Sequence, residues 1–291
     1  MKLLTVVIPH YNSYESLDNL LLTLSDIERI NIIVVDDSSD DAVRLGELKE
    51  KYKYVSFFSN DSNNSAGVCR NIGLYNVKTN WVTFVDADDR VCHSKVNKII
   101  DKLDKYKDYD ILFSDPSSIK DNGEESNRTN NYSYLYEKAK LGIDDILYWF
   151  HVPWSKIYRT EFIQRNKIFF SNTIVSNDVL FSLKAGILCD KYGLLDEGFY
   201  TVVESSTSLT SIKTRTKDKT FTRIEILDEY NSILDENNKG KYKIPRMIYV
   251  LKLPRRDAFR YLTHKGIVNV FSDFSAYYLY DKIRRLIVKA S

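Results

Sequence analysis

Three carboxylates lie within four residues in the segment FVDADD, residues 84–89. Asp86, Asp88 and Asp89 repel one another unless a cation or solvent offsets their charge. Mg²⁺ and Mn²⁺ prefer oxygen ligands, and a magnesium ion typically takes one or two carboxylates together with substrate phosphates. The segment therefore indicates a divalent-metal site or, in the alternative, a solvated turn at the end of a strand, where aspartate is common.

A second pair of acids, Asp36 and Asp37, follows the apolar run at the start of the segment VVDDSSD, residues 34–40. A carboxylate at this position could accept hydrogen bonds from a nucleobase or from ribose hydroxyls. The same Ser/Asp pattern is also typical of a helix N-cap. Both interpretations remain open from these residues alone.

Two further segments carry candidate polar groups. Residues 66–73 (AGVCRNIG) form a small-residue turn leading into a helix, where Arg70 could supply charge to a phosphate or hydrogen bonds to a base. The alternative is a glycine-containing turn with a surface arginine. Asp178 begins an apolar helix and is either an N-terminal acidic cap or, if partly buried, a general base for a substrate hydroxyl.

The first half of the chain alternates strand and helix signals that would position these groups. The apolar pattern predicts strands at 3–8, 31–35, 55–59, 81–85 and 109–114, and helices at 17–24, 67–77 and 94–106. This alternation predicts an α/β fold with a mostly parallel central sheet flanked by helices. Such sheets bind ligands outside the carboxyl ends of their strands. Residues 9–12, 36–39 and 86–89 each follow a strand, so we expect them to meet in one crevice.

The remaining segments differ in composition. Residues 115–134 are rich in Asp, Asn, Ser and Gly, which predicts a long surface loop. From about residue 215 the pattern becomes helical. Residues 213–291 hold 18 Lys and Arg against 9 Asp and Glu, a net charge of +9 within a chain whose net charge is +2. We therefore predict an α/β catalytic domain at 1–212 and a basic, mainly helical region at 213–291.

Composition also narrows the class of protein. With 43% hydrophobic and 28% charged residues, the 291-residue chain can build a globular core. No apolar run approaches the roughly 18 residues that span a membrane, and the N-terminus lacks the pattern of a signal peptide. Three widely spaced cysteines predict free thiols, and neither GxxxxGK[ST] nor GxGxxG occurs. We expect a cytoplasmic protein that is neither a P-loop ATPase nor a classical dinucleotide-binding protein.

The basic C-terminal region interleaves its cations with aromatic residues. Phe274, Tyr278, Ile283 and Leu286 lie near helical spacing. A basic amphipathic helix can lie on an anionic membrane surface, which would place the protein peripherally on the inner face of the membrane. In the alternative, the aromatic face packs on the catalytic domain or on another subunit of a homo-oligomer. No nucleic-acid-binding motif accompanies the charge, so nucleic acid is not an expected partner.

Taken in order, these segments resemble glycosyltransferase family 2, an inverting, nucleotide-sugar-dependent family with the GT-A fold. Residues 6–12 (VVIPHYN) are similar to its opening motif, and residues 84–89 match its DxD-type metal motif. The second and third motifs are present with Ser38 where glycine is usual and Cys69 where alanine is common. Residues 153–159 and 177–181 take the places of the Trp-x-Lys and Glu-Asp motifs, with Asn177 replacing the usual glutamate. The resemblance covers about residues 3–210.

The resemblance implies a role for each matching position. It assigns nucleotide-sugar binding to Pro9, Tyr11, Asn12, Asp36, Asp37, Arg70, Asp86 and Ala87. It implies a divalent metal, Mn²⁺ or Mg²⁺, on Asp88 with Asp86 and Asp89 beside it, bridging the donor diphosphate. It implies that Asp178 deprotonates an acceptor hydroxyl, which then attacks the anomeric carbon with inversion.

The expected activity is therefore that of a metal-dependent glycosyltransferase of the hexosyltransferase type. The expected donor is a nucleotide sugar, most simply a UDP-sugar. The expected acceptor is a hydroxyl of a surface polysaccharide, such as a capsule, or of a lipid-linked oligosaccharide. Two alternatives remain: a nucleotidyltransferase, which also joins a parallel sheet to acidic metal ligands, and a non-catalytic nucleotide-sugar-binding scaffold.

Overall fold

The computed structural model describes residues 2–61, 65–205 and 216–290, with side chains described as far as residue 285. The chain divides into two compact units, Met1–Thr207 and Ser208–Ser291. The predicted domain boundary between residues 212 and 213 lies outside the described residues.

The first unit alternates strands and helices. Its strands are β1 (Leu4–His10), β2 (Ile30–Asp36), β3 (Ser56–Ser59), β4 (Trp81–Phe84), β5 (Arg90–Val91), β6 (Ile111–Ser114), β7 (Ser117–Lys120), β8 (Lys156–Arg159), β9 (Tyr192–Leu195) and β10 (Tyr200–Glu204). Its helices are α1 (Tyr14–Leu24), α2 (Ala42–Lys51), α3 (Ala66–Tyr75), α4 (His93–Lys102), α5 (Asn130–Lys140), α6 (Asp145–Trp149), α7 (Thr160–Arg165) and α8 (Val179–Leu188), with a 3₁₀ helix at Leu103–Tyr106.

Seven strands form the main sheet in the order β3-β2-β1-β4-β8-β6-β9. Only β8 among these seven runs antiparallel to its neighbours, β4 and β6. The expected mostly parallel sheet flanked by helices is therefore confirmed. A second sheet, in the order β5-β10-β7, was not expected from the sequence.

The centre of the main sheet is buried along its whole length, because β1, β2 and β4 are almost continuous apolar runs. Helix α3 packs closely on β1: a Cβ at Gly73 would lie 2.3 Å from Val7 Cγ1. Glycine is therefore needed at residue 73. Arg70 lies one turn earlier on the same helix.

The predicted loop at residues 115–134 is wrong in part. Residues 117–120 form β7, and α5 begins at Asn130. The strand forms despite its polar sequence because it pairs in parallel with β10, placing Ser117 opposite Thr201. Their hydroxyls lie 2.8 Å apart. The sequence did not predict this strand, because its partner lies about 80 residues later and the local sequence has no apolar periodicity.

The second unit is helical, as the sequence predicts. It contains α9 (Lys217–Glu236), α10 (Met247–Val250), α11 (Arg255–Lys265), α12 (Ile267–Phe271) and α13 (Ala276–Ala290), with a 3₁₀ helix at Gly240–Tyr242. The core cluster of this unit comprises Ile224, Met247, Val250, Leu253 and Val270. Across the described ranges of both units, no helix combines the length and apolarity required to cross a bilayer.

Candidate active site

The side chain of Asp36 stabilises the turn that follows β2. Its Oδ1 accepts a hydrogen bond from Ser39 Oγ at 2.5 Å and lies 2.8 Å from Nδ1 of the buried His10, and its Oδ2 accepts the Ser39 backbone N–H at 3.0 Å. Although burial opposes it, hydrogen bonding from His10 and Ser39 lowers the pKa of Asp36. Both carboxylate oxygens therefore stabilise this turn.

Asn12 joins the ends of β1 and β2. Its backbone N–H donates to Ser39 Oγ at 2.9 Å, and its side-chain amide exchanges hydrogen bonds with Asp40 at 2.6 and 2.9 Å. Asn12 adopts a left-handed conformation with φ 52°, which asparagine tolerates better than most residues. The adjacent Tyr11 is 46% exposed, so its ring remains accessible at this edge of the sheet.

Asp37 lies between the end of β2 and α3. Its Oδ1 accepts a hydrogen bond from Asn60 Nδ2 at 2.7 Å. Burial, followed by the charge and hydrogen bonding of Asp37, raises the pKa of the Cys69 thiol on α3. Pro9 and Ala87 are buried at the ends of β1 and β4. The polar strand ends and the start of α3 are therefore neighbours, as expected.

Arg70 connects three parts of the site. Its Nη2 donates to Asp86 Oδ1 at 2.5 Å, and its Nη1 donates to Asn177 Oδ1 at 3.0 Å. Helix α3 can approach this closely because residue 67 is glycine: a Cβ at Gly67 would lie 2.5 Å from the Ser171 carbonyl oxygen. The helix, the acidic turn and the segment before α8 thus meet at one buried guanidinium.

The three carboxylates of the acidic turn have different surroundings. Asp89 is buried and accepts hydrogen bonds from the Tyr200 hydroxyl at 2.5 Å and from the Val203 N–H at 2.8 Å. Burial, and then the nearby charges of Asp86 and Asp88, raise the pKa of Asp89 well above its ordinary value. Asp88 is exposed at the tip of the turn, although partial desolvation and Asp86 raise its pKa. Asp89 supports the turn, and Asp88 is the carboxylate directed to solvent.

Tyr200 is a site residue that sequence reasoning missed. Besides donating to Asp89, its hydroxyl accepts the Asp86 backbone N–H at 3.1 Å. Its ring stacks on Trp154 with centroids 5.3 Å apart and planes 8° apart, which places this tryptophan in the core. Tyr200 lies 111 residues from Asp89, and an aromatic residue in a strand ordinarily indicates only core packing.

Asp178 occupies the N-cap position of α8 and is half-buried. No other residue in the described ranges donates a hydrogen bond to its carboxylate. Burial raises the pKa of Asp178, while the nearby Arg70 opposes the increase and Asp86 adds to it. Asp178 therefore shares an electrostatic environment with the acidic turn. A carboxylate that no other residue in the described ranges binds and whose pKa is raised suits a general base.

Lys156 supports the helix that carries Asp178. It is buried, and its Nζ donates to the Phe150 carbonyl oxygen at 2.5 Å and lies 3.3 Å from Ser182 Oγ. Ser182 in turn donates its backbone N–H to the Asp178 carbonyl oxygen at 2.9 Å. Burial lowers the pKa of Lys156 well below its ordinary value. Lys156 therefore fixes the first turn of α8 relative to the end of α6.

The acidic turn can contribute two carboxylates to a metal, since Asp89 is already used internally. Within the described ranges, no group of three or more His, Cys, Asp or Glu side chains is arranged to hold an ion. A hard divalent cation often takes only one or two carboxylates and completes its shell with substrate phosphates and water. Asp88 with Asp86 fits Mg²⁺ or Mn²⁺ in that mode, in which a diphosphate supplies further oxygens.

The architecture and this crevice define a GT-A-type α/β fold. The structure of Staphylococcus aureus TarS residues 1–349, crystallised with UDP-GlcNAc, aligns with a TM-score of 0.64 at 22% sequence identity. The alignment covers 89% of this chain and 75% of that chain, and at this identity it shows the fold. The sequence model for glycosyl transferase family 2 matches residues 5–166, and the chain belongs to that family.

Relatives share moderate sequence similarity. EpsJ of Bacillus subtilis (strain 168), described as an uncharacterized glycosyltransferase, is 29% identical over 226 residues, which cover 72% of this chain and 63% of EpsJ. TarP of Staphylococcus aureus (strain N315), a poly(ribitol-phosphate) β-N-acetylglucosaminyltransferase, is 27% identical over 263 residues, covering 84% and 77%. This chain therefore spans less than two thirds of the length of EpsJ.

Proposed function

We propose that the protein transfers a hexosyl group from a UDP-sugar to a hydroxyl of a cell-surface polysaccharide or lipid-linked saccharide, with inversion and with a divalent metal. The observation that carries this proposal is the placement of Asp178. Its carboxylate lies at the start of α8, has a raised pKa and interacts with Arg70 and Asp86 across the crevice. A base on one side and an acidic turn on the other are the two parts that such a transfer needs.

The base would act on the acceptor. Asp178 Oδ would take the proton of the attacking hydroxyl while the crevice holds donor and acceptor in contact. The acceptor oxygen forms a bond to the anomeric carbon as the bond to the diphosphate breaks. Attack from the face opposite the leaving group inverts the configuration.

The other residues would hold the donor. Tyr11 offers an exposed ring beside the strand ends, and Asp37 offers a carboxylate, for contacts with the nucleobase. Arg70 keeps the Asp86 carboxylate oriented in the crevice. Asp88 and Asp86 would hold the metal, whose chemistry is to offset negative charge on the departing diphosphate.

The relatives support the donor and acceptor classes. TarS has been crystallised with UDP-GlcNAc and with UDP, and both TarP and TarS carry names that describe N-acetylglucosaminyl transfer to poly(ribitol phosphate). A UDP-sugar donor and a long polyhydroxylated acceptor are therefore the starting point for this chain.

A nucleotide-sugar screen tests the proposed reaction. The protein is incubated with UDP-, GDP- and dTDP-sugars, a polysaccharide or lipid-linked acceptor and Mn²⁺, and release of the nucleoside diphosphate is measured. We expect UDP release that needs the acceptor and stops with Asp178→Asn. The anomeric configuration of the product, read by NMR, tests inversion. Turnover unchanged in Asp178→Asn would contradict the assignment of the base.

A separate titration tests the metal. Since two carboxylates are a sparse ligand set, Mn²⁺ alone should bind weakly, and Mn²⁺ with UDP should bind much more tightly. Isothermal titration calorimetry measures both, with Asp88→Asn as the variant and Asp41→Asn, at the N-cap of α2, as the control. If EDTA leaves UDP release unchanged, the metal is not required. The proposed sugar transfer and the proposed base, Asp178, would not be affected by that result.

A further inference from the structure

Helices α11 and α12 of the second unit have one buried side and one exposed side. Ala258, Tyr261 and Leu262 of α11 pack against the core cluster, and Val270 of α12 belongs to that cluster and is fully buried. Within the described residues, Phe259, Val268 and Phe271 do not belong to this cluster and are exposed instead. Helix α11 has no fully buried residue at all.

The exposed side combines arginines with large apolar side chains. Arg256, Phe259 and Arg260 share one face of α11, since residues three and four apart are neighbours on a helix. Phe259 is 70% exposed, and Val268 and Phe271 of α12 are 84% and 52% exposed. The α11–α12 surface is defined here as Arg255, Arg256, Phe259, Arg260, Val268 and Phe271.

The acids that follow residue 236 are paired with cations other than the arginines of this surface. Residues 237–291 contain three carboxylate side chains, Asp257, Asp273 and Asp281. Each is in an ion pair: Asp257 with Lys217 at 2.9 Å, Asp273 with Arg246, and Asp281 with Arg285 at 2.6 Å. In the portion of the chain that the structure describes, the arginines at positions 255, 256 and 260 have no acidic partner.

We propose that the α11–α12 surface binds an anionic lipid bilayer. The arginines would contact lipid phosphates, and Phe259, Val268 and Phe271 would enter the boundary between headgroups and acyl chains. A bilayer would therefore interact with both the positive charge and the apolar side chains of the surface. The inference concerns the second unit and does not depend on the proposed sugar transfer.

Two other occupants fit less well. A second copy of the chain, docked symmetrically through this surface, would bring arginines against arginines, which opposes association. A soluble anionic polymer would pair with the arginines but would leave the apolar side chains in water. A lipid bilayer satisfies the charge and covers the apolar groups together.

Vesicle flotation with the whole chain tests the proposal. The probe is a vesicle of phosphatidylglycerol and phosphatidylcholine, compared with one of phosphatidylcholine alone. We expect binding to the anionic vesicles only. The double variants Arg256→Glu/Arg260→Glu and Val268→Asp/Phe271→Asp should each reduce the bound fraction by roughly tenfold or more, since charge and apolar contact both contribute to interfacial binding.

The matched control is Val43→Asp/Leu141→Asp, which places two aspartates at positions of the first unit that are 72% and 77% exposed. It should float like the unchanged protein, and far-UV circular dichroism should be the same for all variants.

Unchanged binding in Val268→Asp/Phe271→Asp, or no binding of the unchanged protein, would overturn the proposal. A second result would also overturn it: if light scattering without lipid shows a dimer that Val268→Asp/Phe271→Asp abolishes, the occupant is a second copy. If the protein binds soluble polyphosphate as tightly as it binds vesicles, and Val268→Asp/Phe271→Asp changes neither affinity, the occupant is a polymer.

Discussion

In the first unit, burial and, in addition, the charge of Asp86 raise the pKa of Asp88 and of Asp178, and Arg70 pairs with Asp86. In the second unit, Arg246 bonds both Asp273 and Asp228, which fastens α9, α10 and the end of α12 together. Carboxylates concentrated without matching cations cost free energy, and such a cost is retained where a substrate or metal offsets it. Carboxylates that are each paired serve the fold. The difference distinguishes a site from a scaffold.

The cations of the two units also differ in burial. Arg70 in the first unit is buried and used by two partners, whereas Arg255, Arg256 and Arg260 in the second unit are exposed. These three arginines therefore contribute their charge at the surface. Five predictions test this contrast between a charge-strained site and a charge-paired scaffold.

The largest effect is expected for Asp178→Asn. Removing the proposed general base should lower kcat by about 10²–10⁴-fold, because base catalysis of proton transfer contributes by about that factor. UDP binding should be retained, since the change leaves Asp37, Arg70 and Asp88 in place. Steady-state kinetics and calorimetry measure the two effects. Asp41→Asn is the matched control, because Asp41 is also the N-cap of a helix and asparagine caps equally well.

The second prediction concerns the scaffold. Arg246→Leu leaves Asp273 buried without its cation, and breaking a buried pair in this way typically costs about 3–5 kcal/mol of stability. Arg29→Ala breaks an exposed pair with Asp101 and should cost no more than about 1 kcal/mol. Urea unfolding of both variants measures the difference. Equal stabilities would mean that pairing does not hold the second unit together.

The sequence predicted those parts of the site that depend on local pattern. Parallel strands end at one edge of a sheet, so Asp37 and Asp86 were expected to share a crevice, and Asp178 was expected at the start of a helix. The structure places β2 and β4 on either side of β1 in the sheet, and it places Asp178 at the start of α8. Periodicity along a chain reports which face of an element is buried, and it was sufficient for these features.

Contacts between distant segments could not be predicted in this way. Arg70 and Asn177 are 107 residues apart, and Tyr200 and Asp89 are 111 apart. Neither pair carries a local signal, because each forms only when separate elements pack together. The polar strand β7 was missed for the same reason, since β10 supplies its hydrogen bonds.

The third prediction uses one of these distant contacts. Tyr200→Phe removes the donor to Asp89 and the acceptor of the Asp86 N–H, and leaving such buried groups unpaired costs about 1–3 kcal/mol. Mn²⁺ binding in the presence of UDP should weaken as well, because the acidic turn loses its support. Tyr158→Phe is the matched control. Tyr158 is equally buried, but its hydroxyl has no hydrogen-bond partner in the described residues, so both measurements should change little.

The smallest effect is expected from pH. Burial, partly opposed by Arg70, raises the pKa of Asp178 above the ordinary aspartate value of about 3.9. The base works only when ionised, so kcat at saturating donor should fall as the pH decreases through this raised pKa. A fall that begins only below about pH 4 would mean that Asp178 has an ordinary environment and is not strained by the crevice.

The same pKa shift predicts a gain in stability on removing the charge. The native state binds a proton at Asp178 more tightly than the unfolded chain does, so the ionised carboxylate destabilises the native state once the pH exceeds the raised pKa. Asp178→Asn should therefore have a higher Tm than the unchanged protein at pH 8, and the two values should converge as the pH decreases below the ordinary aspartate pKa. Differential scanning calorimetry across this pH range measures the difference in Tm.

The matched comparison is Asp273→Asn. This change removes a charge that is paired with Arg246, so it should lower Tm at pH 8. Opposite signs at the two aspartates would show directly that the first unit tolerates instability for its chemistry while the second unit uses its carboxylates for folding.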